Sequence, residues 1–192
     1  MPDPNPAALE FLLTRRSVPA KTLTAPFPSR DDLTPILTAA ARSPDHGKLE
    51  PWRFIVLGDA ALTRLADLVA ARGQALGIDP DKIEKSRMTY ADSGLAVVVV
   101  SAPQVSDKVP EIEQIYSAGA VCLALTNAAL ASGWGANWIT GWAAFDREFV
   151  ETGLGLGPTE QVAGIIHLGT PKFAPPDRPR PDLAAITTWV DA

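Results

Sequence analysis

The stretch from Val109 to Gly133, VPEIEQIYSAGAVCLALTNAALASG, decides the architecture of this chain. Pro110 suits the start of a helix, and the acidic Glu111 and Glu113 follow it where the helix dipole favours negative charge. Beyond that turn the segment is apolar almost all round, and a glycine ends it. A helix with this pattern is buried on more than one side. We therefore predict one long helix that lies in a core or in an interface.

Further apolar runs predict the strands against which this helix packs. The runs LAVVVVSA (95–102) and EQVAGIIHLGT (160–170) are typical of central strands that are buried on both faces. RFIVLG (53–58) predicts another strand, and ANWIT (136–140) is expected to be extended. Apolar spacing and capping residues predict further helices at residues 7–14, 31–42, 59–76, 79–90 and 146–155, with Ser29 and Asp59 as caps. This order of elements indicates an α+β chain with heavy helical cover over a few central strands.

The composition is that of one globular domain spanning residues 1–192. The chain is 46% hydrophobic and 20% charged, with a net charge of −5. This charge argues against general nucleic-acid binding, which needs a basic face. The run at 95–102 is too short to cross a bilayer, and MPDPNPAALE at the start lacks the pattern of a signal peptide. We therefore expect a cytoplasmic protein.

The C-terminal part of the sequence is rich in proline. The segment PKFAPPDRPRP (171–181) predicts an extended tail from about residue 171, and the following 183–190 could be a helix or an edge strand. Arg178 and Arg180 alternate with prolines there, either as solvated charges or as ligands of a phosphate. His167 falls within a predicted strand and is expected to be structural.

No side chain in the sequence is a convincing nucleophile or metal ligand. Ser17 and Ser43 lack the G-x-S-x-G context of a nucleophile elbow. Cys122 is the only cysteine and lies in the long apolar helix, where it is expected to be inert. The two histidines are far apart, and no metal motif is present. If the protein is an enzyme, its chemistry belongs to a cofactor.

Three polar or glycine-rich segments are candidates for binding. RRS (15–17) offers two forked guanidinium groups and a hydroxyl to a phosphate, although a basic helix end is the alternative. PDHGKLEPW (44–52) precedes a buried strand, where a scaffold can position a site, although His46 could be a surface histidine and Trp52 a core anchor. The glycines of ASGWGANWITGW (131–142) lack the Rossmann order. They either end a helix or let the backbone approach a flat ring.

Four segments in this order resemble the nitroreductase family. They are RRS near the start, ARSPDHGKLEPWRF, KVPEIEQIYSAGAVCLALTNAALASGWGANWITG and IIHLGTP, and together they span roughly residues 7–183. The PDH…PW and EQ…SAG signatures are similar to those of the compact YdjA-like branch. The resemblance implies a nitroreductase-like α+β fold with a central, mostly antiparallel sheet flanked by helices. It also implies an intertwined homodimer with two FMN sites, each built from both chains.

The resemblance implies an FMN-dependent NAD(P)H oxidoreductase. Hydride would pass from NADH or NADPH to the flavin N5 and then, in ping-pong order, to a nitroaromatic, a quinone or a similar electron-poor acceptor. No catalytic side chain and no metal are implied. A non-catalytic protein that binds or sequesters FMN is the alternative, because Glu50 stands where many members carry Asn or Gln. A purely structural dimerisation protein is a third possibility.

The same resemblance assigns site residues by position. Arg15, Arg16 and Ser17 would hold the phosphate and ribityl chain of FMN. The other residues implied to contact FMN are Arg42, His46, Trp138, Ile139, Thr140 and Arg180, with Arg178 as the alternative to the last. The residues implied to contact the nicotinamide nucleotide are Ala128, Ala129, Leu130, Ala131, Ser132 and Gly133.

Overall fold

A five-stranded antiparallel sheet organises the chain. The computed structural model describes residues 3–191. Its strands are β1 (Leu23–Thr24), β2 (Trp52–Gly58), β3 (Leu95–Ser101), β4 (Gly135–Ile139) and β5 (Gln161–Pro171). The strand order is β1-β5-β3-β2, β4 also pairs with β5, and every pair is antiparallel. The predicted α+β class with a central antiparallel sheet is confirmed.

The helices begin and end close to the predicted residues because local capping decides their bounds. They are α1 (Pro6–Thr14), α2 (Arg30–Ala40), α3 (Asp59–Ala75), α4 (Pro80–Ala91), α5 (Glu111–Ala131), α6 (Arg147–Leu154) and α7 (Leu183–Ile186). Ser29 and Asp32 form a complete capping box at the start of α2. The prediction that Asp59 caps α3 is wrong: Gly58 takes the cap position, and Asp59 is the first helical residue. The helix dipole favours its negative charge there.

The central strand β3 is buried on both faces, as predicted. Its alternate residues enter two separate cores because side chains on a strand point to opposite faces in turn. Val98 packs with α3 and α6 in a core that includes Leu65 and Phe149. Val97 packs with α2 and α5 in a core that includes Leu125. The sheet is therefore the middle layer between two helical layers.

Helix α5 is the long apolar helix that the sequence predicts. By length and composition alone it would reach across a bilayer. It packs instead against the sheet and α2, where Leu125 and Ala129 are fully buried. On the opposite side, Ile112, Tyr116 and Leu123 are exposed. The helix thus fills one core and leaves a second apolar face uncovered in the single chain.

The C-terminal tail begins where β5 ends. Pro171 still pairs with Leu23, so the sheet extends one residue into the proline-rich segment that was expected to form no ladder. Residues 172–182 have no regular element, and α7 is a single turn. The tail then exposes Leu183, Ile186, Trp189 and Val190, which are between 67% and 83% accessible. A segment with this many exposed apolar side chains is not an ordinary solvated linker.

An ion pair between β2 and the start of β5 gives the fold a predictable pH dependence. Arg53 donates two hydrogen bonds to Glu160, at 2.6 and 2.7 Å, and the Gly157 N–H donates a third at 2.8 Å. The bonds to Arg53 lower the pKa of Glu160 from 4.5 to about 2. Because the folded-state pKa is depressed, the pair stabilises the protein above pH 4.5, and this contribution is lost as the pH falls towards 2.

The substitution Glu160→Gln is therefore expected to destabilise the protein near neutral pH only. We expect the free energy of unfolding to fall by about 1–2 kcal/mol at pH 7, since the solvent exposure of Arg53 screens part of the interaction. Urea unfolding at a series of pH values should show the difference shrinking below pH 4.5. Glu151→Gln, which removes an exposed pair with Arg147, is the control and should have a smaller effect. An equal loss at pH 3 and pH 7 would contradict this account.

Candidate cofactor site

Four arginines from the two ends of the chain meet at one cavity. The cavity has a volume of about 590 Å³. Its lining residues are Arg15, Arg16, Ser17, Arg178, Pro179, Arg180 and Pro181. The fold thus brings the segment after α1 together with the proline-rich tail. Both arginines that the sequence left as alternatives, Arg178 and Arg180, reach this cavity.

The guanidinium groups in this cavity retain unused donors. Arg15 Nη2 donates to Ser17 Oγ at 2.8 Å, which orients the fork. The Nε atoms of Arg15 and Arg16 are buried and have no hydrogen-bond partner among residues 3–191. Burial, and then the charges of Arg180 and Arg16, lower the pKa of Arg15. Asp177 lies 3.4 Å from Arg180 Nη2 and offsets only part of the charge.

Buried donors without acceptors, in a cavity of like charges, define an anion site. Buried polar groups are normally paired, so the free Nε atoms call for acceptor oxygens. Forked guanidinium donors match the oxygens of a phosphate, and a dianion would relieve the repulsion among the arginines. The residues present therefore fit a phosphate ester.

Hydrogen bonds join this cavity to the end of β4. The Val18 N–H donates to the Ala136 carbonyl at 2.9 Å, and Asn137 Nδ2 donates to the Val18 carbonyl at 2.9 Å. The segment that follows Ser17 therefore runs beside β4. Two predicted groups therefore lie on neighbouring segments. They are the residues predicted to hold a phosphate (Arg15 to Ser17) and those predicted to border a ring (Trp138 to Thr140).

Two adjoining cavities follow along the same segment. The outer one has a volume of about 410 Å³ and is lined by Ala20, Lys21, Lys85, Met88, Thr89, Asp92 and Ile139. The inner one has a volume of about 210 Å³ and is lined by Ser86, Thr89, Tyr90, Ile139, Thr140, Gly141, Ile165 and His167. They share Thr89 and Ile139. We call these two cavities and the arginine cavity, which the earlier part of the same segment lines, the elongated site. None of the residues that line its inner end is Asp, Glu, Lys or Arg.

Arg42 and His46 lie elsewhere in the single chain. His46 Nδ1 lies 2.7 Å from Glu113 Oε2 at an exposed position, and Arg42 is exposed just after α2. Ser117 Oγ of α5 holds their loop by donating to the Pro44 carbonyl at 2.6 Å. Among the residues that the structure describes, neither Arg42 nor His46 lines the cavities described above. These two residues could act at such a site only if a second chain presented them.

The stretch predicted to contact a nicotinamide nucleotide is the end of α5. Ala129 is fully buried in a core, whereas Ala131, Ser132 and Gly133 are exposed where the helix stops. Gly133 has a φ of 86°, and the Trp134 N–H then closes the turn by donating to the Ala129 carbonyl at 3.0 Å. Among the described residues, none of Ala128–Gly133 lines the arginine cavity, and their contact with a nucleotide stays a prediction.

The structure also shows the surroundings of three further residues that the sequence singled out: Trp52, Cys122 and Glu50. Trp52 packs against a core, as favoured, and its Nε1 donates to Ser117 Oγ at 3.2 Å. Burial raises the pKa of Cys122 to about 12, so its thiol is inert, as predicted. Glu50 is exposed and has a φ of 48°, and its N–H donates to Asp45 Oδ2 at 2.7 Å.

Sequence reasoning missed the residues that α4 contributes to the site. Lys85 and Thr89 line the cavities, but nothing in an ordinary amphipathic helix distinguishes them. Lys21 could have been found, because it follows Ser17 in the same short segment.

Comparison with known proteins identifies the class of protein to which this chain belongs. The model of the nitroreductase family matches residues 12–170. The chain therefore belongs to the nitroreductase family, and it is an oxidoreductase.

Individual relatives agree with this assignment. The chain is 34% identical over 166 residues to "Putative NAD(P)H nitroreductase YdjA" of Escherichia coli strain K12, covering 86% of this chain and 89% of that protein. The solved structure of a nitroreductase-like family protein from Bacillus cereus has a TM-score of 0.79 at 23% identity and covers 100% of both chains. A nitroreductase with bound FMN from Bacteroides fragilis has a TM-score of 0.73 at 22% identity, covering 95% of this chain and 98% of that one.

Proposed function

We propose that this chain is an FMN-dependent NAD(P)H oxidoreductase that acts as a cytoplasmic homodimer on nitroaromatic, quinone or similar electron-poor acceptors. The observation that carries the proposal is the arginine cavity, whose buried Nε donors lack partners among residues 3–191. A phosphorylated ligand supplies the missing acceptors. The relative in Escherichia coli is named for NAD(P)H, and the neighbour from Bacteroides fragilis contains FMN.

The chain's own residues would bind and orient the cofactor. Arg15, Arg16 and Ser17, with the tail arginines, hold the phosphate, while the segment from Trp138 to Thr140 borders the ring. When bound, FMN would supply redox chemistry at its N5, carrying hydride from NADH or NADPH to the acceptor in ping-pong order. The inner cavity, which no Asp, Glu, Lys or Arg lines, suits an uncharged ring.

A homodimer accounts for the uncovered apolar surface. In this arrangement the partner subunit covers three apolar surfaces that are exposed in the single chain. They are the face of α5 formed by Ile112, Tyr116 and Leu123, the exposed leucines of α1 and the apolar residues of the tail. Large exposed apolar surfaces of this kind mark interfaces. In the same arrangement Arg42 and His46, which lie apart from the arginine cavity, are presented to the partner's FMN. The end of α5, from Ala128 to Gly133, is assigned to the nicotinamide nucleotide.

Purified protein is expected to be yellow and to release FMN on heating. Anaerobic addition of NADH or NADPH, each tested separately by stopped-flow absorbance, should bleach the bound flavin. Subsequent addition of an acceptor panel of nitroaromatics and quinones should restore the colour. Colourless protein that takes up no added FMN would contradict the proposal.

The second candidate function is FMN binding without catalysis, and Glu50 is the residue that favours it. A carboxylate near a flavin disfavours its anionic reduced form. Protein that binds FMN but is not bleached by either nucleotide would support this candidate. Glu50→Gln should then restore bleaching, since the amide removes the charge and keeps the shape.

A further inference from the structure

His167 is completely buried in β5, yet only one of its ring nitrogens has a hydrogen-bond partner among residues 3–191. Nδ1 lies 2.8 Å from Ser93 Oγ, and Ser93 Oγ donates its own hydrogen to the Leu95 carbonyl at 3.3 Å. Ser93 therefore accepts from His167, which places the proton on Nδ1 and leaves a lone pair on Nε2. Burial lowers the pKa of His167 to about 4, so the ring is neutral near pH 7.

The free Nε2 belongs to the ring that lines the inner cavity. No hydrogen-bond partner for Nε2 is present among residues 3–191. The same cavity is lined by the hydroxyls of Ser86 and Thr140, whereas the Thr89 hydroxyl donates its hydrogen to the Lys85 carbonyl at 3.2 Å. None of the lining residues is Asp, Glu, Lys or Arg. Hydroxyls both donate and accept, whereas Nε2 in this tautomer can only accept. A complementary ligand is a neutral group that offers one N–H or O–H donor to Nε2 and carries acceptors that the hydroxyls can reach.

The position of the cavity indicates which part of a ligand enters it. The inner cavity shares Thr89 and Ile139 with the outer one, and the outer one is lined by Ala20 and Lys21, which follow Ser17 closely in the chain. A ligand whose phosphate lies among the arginines would therefore extend its ring system towards His167. The pyrimidine edge of a flavin carries an imide, with the N3–H between two carbonyl oxygens. This pattern matches one obligate acceptor, Nε2, in a cavity that also holds the hydroxyls of Ser86 and Thr140.

We propose that His167 Nε2 accepts a hydrogen bond from the N3–H of FMN and that the hydroxyls of the inner cavity serve the neighbouring carbonyls. This makes His167 a flavin-recognition residue, fixed in its tautomer by Ser93. The inference rests on the proposed function, because it needs FMN in the elongated site. Water is the competing occupant, since about 210 Å³ holds several molecules at about 30 Å³ each.

The test uses flavin chemistry as well as mutagenesis. The Kd of the full-length apoprotein is measured at pH 7, from the quenching of flavin fluorescence, for FMN and for 3-methyl-FMN, in which a methyl group replaces the N3 hydrogen. The wild-type protein should bind 3-methyl-FMN at least about tenfold more weakly, since a lost hydrogen bond at a buried acceptor costs about 1–3 kcal/mol. His167→Ala, which also leaves room for the methyl group, should bind FMN about tenfold more weakly and lose the discrimination.

A second measurement keeps the proposal testable if His167→Ala does not fold. In the complex of ¹⁵N-labelled protein with ¹⁵N-labelled FMN, a scalar coupling across the hydrogen bond should connect flavin N3 with His167 Nε2. Unchanged FMN affinity in His167→Ala, or tight FMN binding without this coupling, would overturn the inference and leave water in the cavity. Protein that binds no FMN at all would overturn the proposed function instead.

Discussion

Replacing Arg15 with alanine should raise the Kd for FMN by about 10- to 100-fold, because a charge-assisted hydrogen bond to phosphate contributes about 1.5–3 kcal/mol. Arg15 is the arginine whose fork Ser17 orients and whose Nε is buried without a partner among residues 3–191. Fluorescence titration of the apoprotein measures this effect. Arg15→Lys should recover only part of the affinity, since an ammonium group lacks the planar fork.

The same substitution should not destabilise the protein when the cofactor is absent. Burial and the charges of Arg180 and Arg16 lower the pKa of Arg15, so its charged form is disfavoured in the apoprotein. The melting temperature of apo Arg15→Ala should therefore equal or exceed that of the wild type, whereas the FMN-loaded form should melt lower. Arg30→Ala, which removes an exposed charge from the start of α2, is the control and should leave the Kd unchanged. A destabilised apoprotein with normal FMN affinity would show that Arg15 is structural.

Replacing Gly164 with alanine should lower the free energy of unfolding by about 1–3 kcal/mol through overpacking. A Cβ at this position would overlap Trp138 Nε1 and would lie 2.9 Å from Cys122 Sγ. The indole of Trp138 lies against Gly164 in β5 and must move away, since Cys122 is fixed in the core. Because Trp138 is proposed to border the flavin ring, FMN affinity should fall together with stability.

Gly58→Ala is the matched control for this prediction. A Cβ at Gly58 would meet no atom within 4 Å, and its φ of −87° suits alanine. Tryptophan emission should therefore change little in Gly58→Ala but clearly in Gly164→Ala. Because alanine is a weaker helix cap than glycine, urea unfolding of Gly58→Ala should show only a small loss, below that of Gly164→Ala. Unchanged tryptophan emission in Gly164→Ala would contradict the proposed displacement of the indole.

The elements of this fold could be predicted from sequence because their signals are local. The capping pair Ser29 and Asp32, Pro110 before α5 and Gly155 after α6 each fix a helix end within a residue or two. The four consecutive valines of β3, Val97–Val100, indicated a central strand. The pairing of β4 with β5 and the extension of β5 to Pro171 depend on distant partners, so no local pattern indicated them.

The candidate site likewise contains residues that the sequence reveals and residues that only the fold brings together. Arg15, Arg16 and Ser17 are contiguous, so their chemistry is visible in the sequence, although the convergence of Arg178 and Arg180 on them is visible only in the fold. His167 looked structural because it lies in a buried strand. Its free Nε2 depends on Ser93, which lies far from it in sequence and takes up the other nitrogen. No pattern of residue types could have shown this.

The position of β5 in the sheet has a consequence for biosynthesis. Among the described strands, β1 and β4 pair only with β5, and β3 needs it to cover one of its edges. A nascent chain on the ribosome can therefore join β2 to β3, but the sheet stays incomplete until residues 161–171 emerge. Until then the valines of β3 and the apolar faces of α5 remain available to other chains, and such exposed edges favour aggregation. Nascent chains that stall before β5 should therefore depend on chaperones far more than the finished protein does.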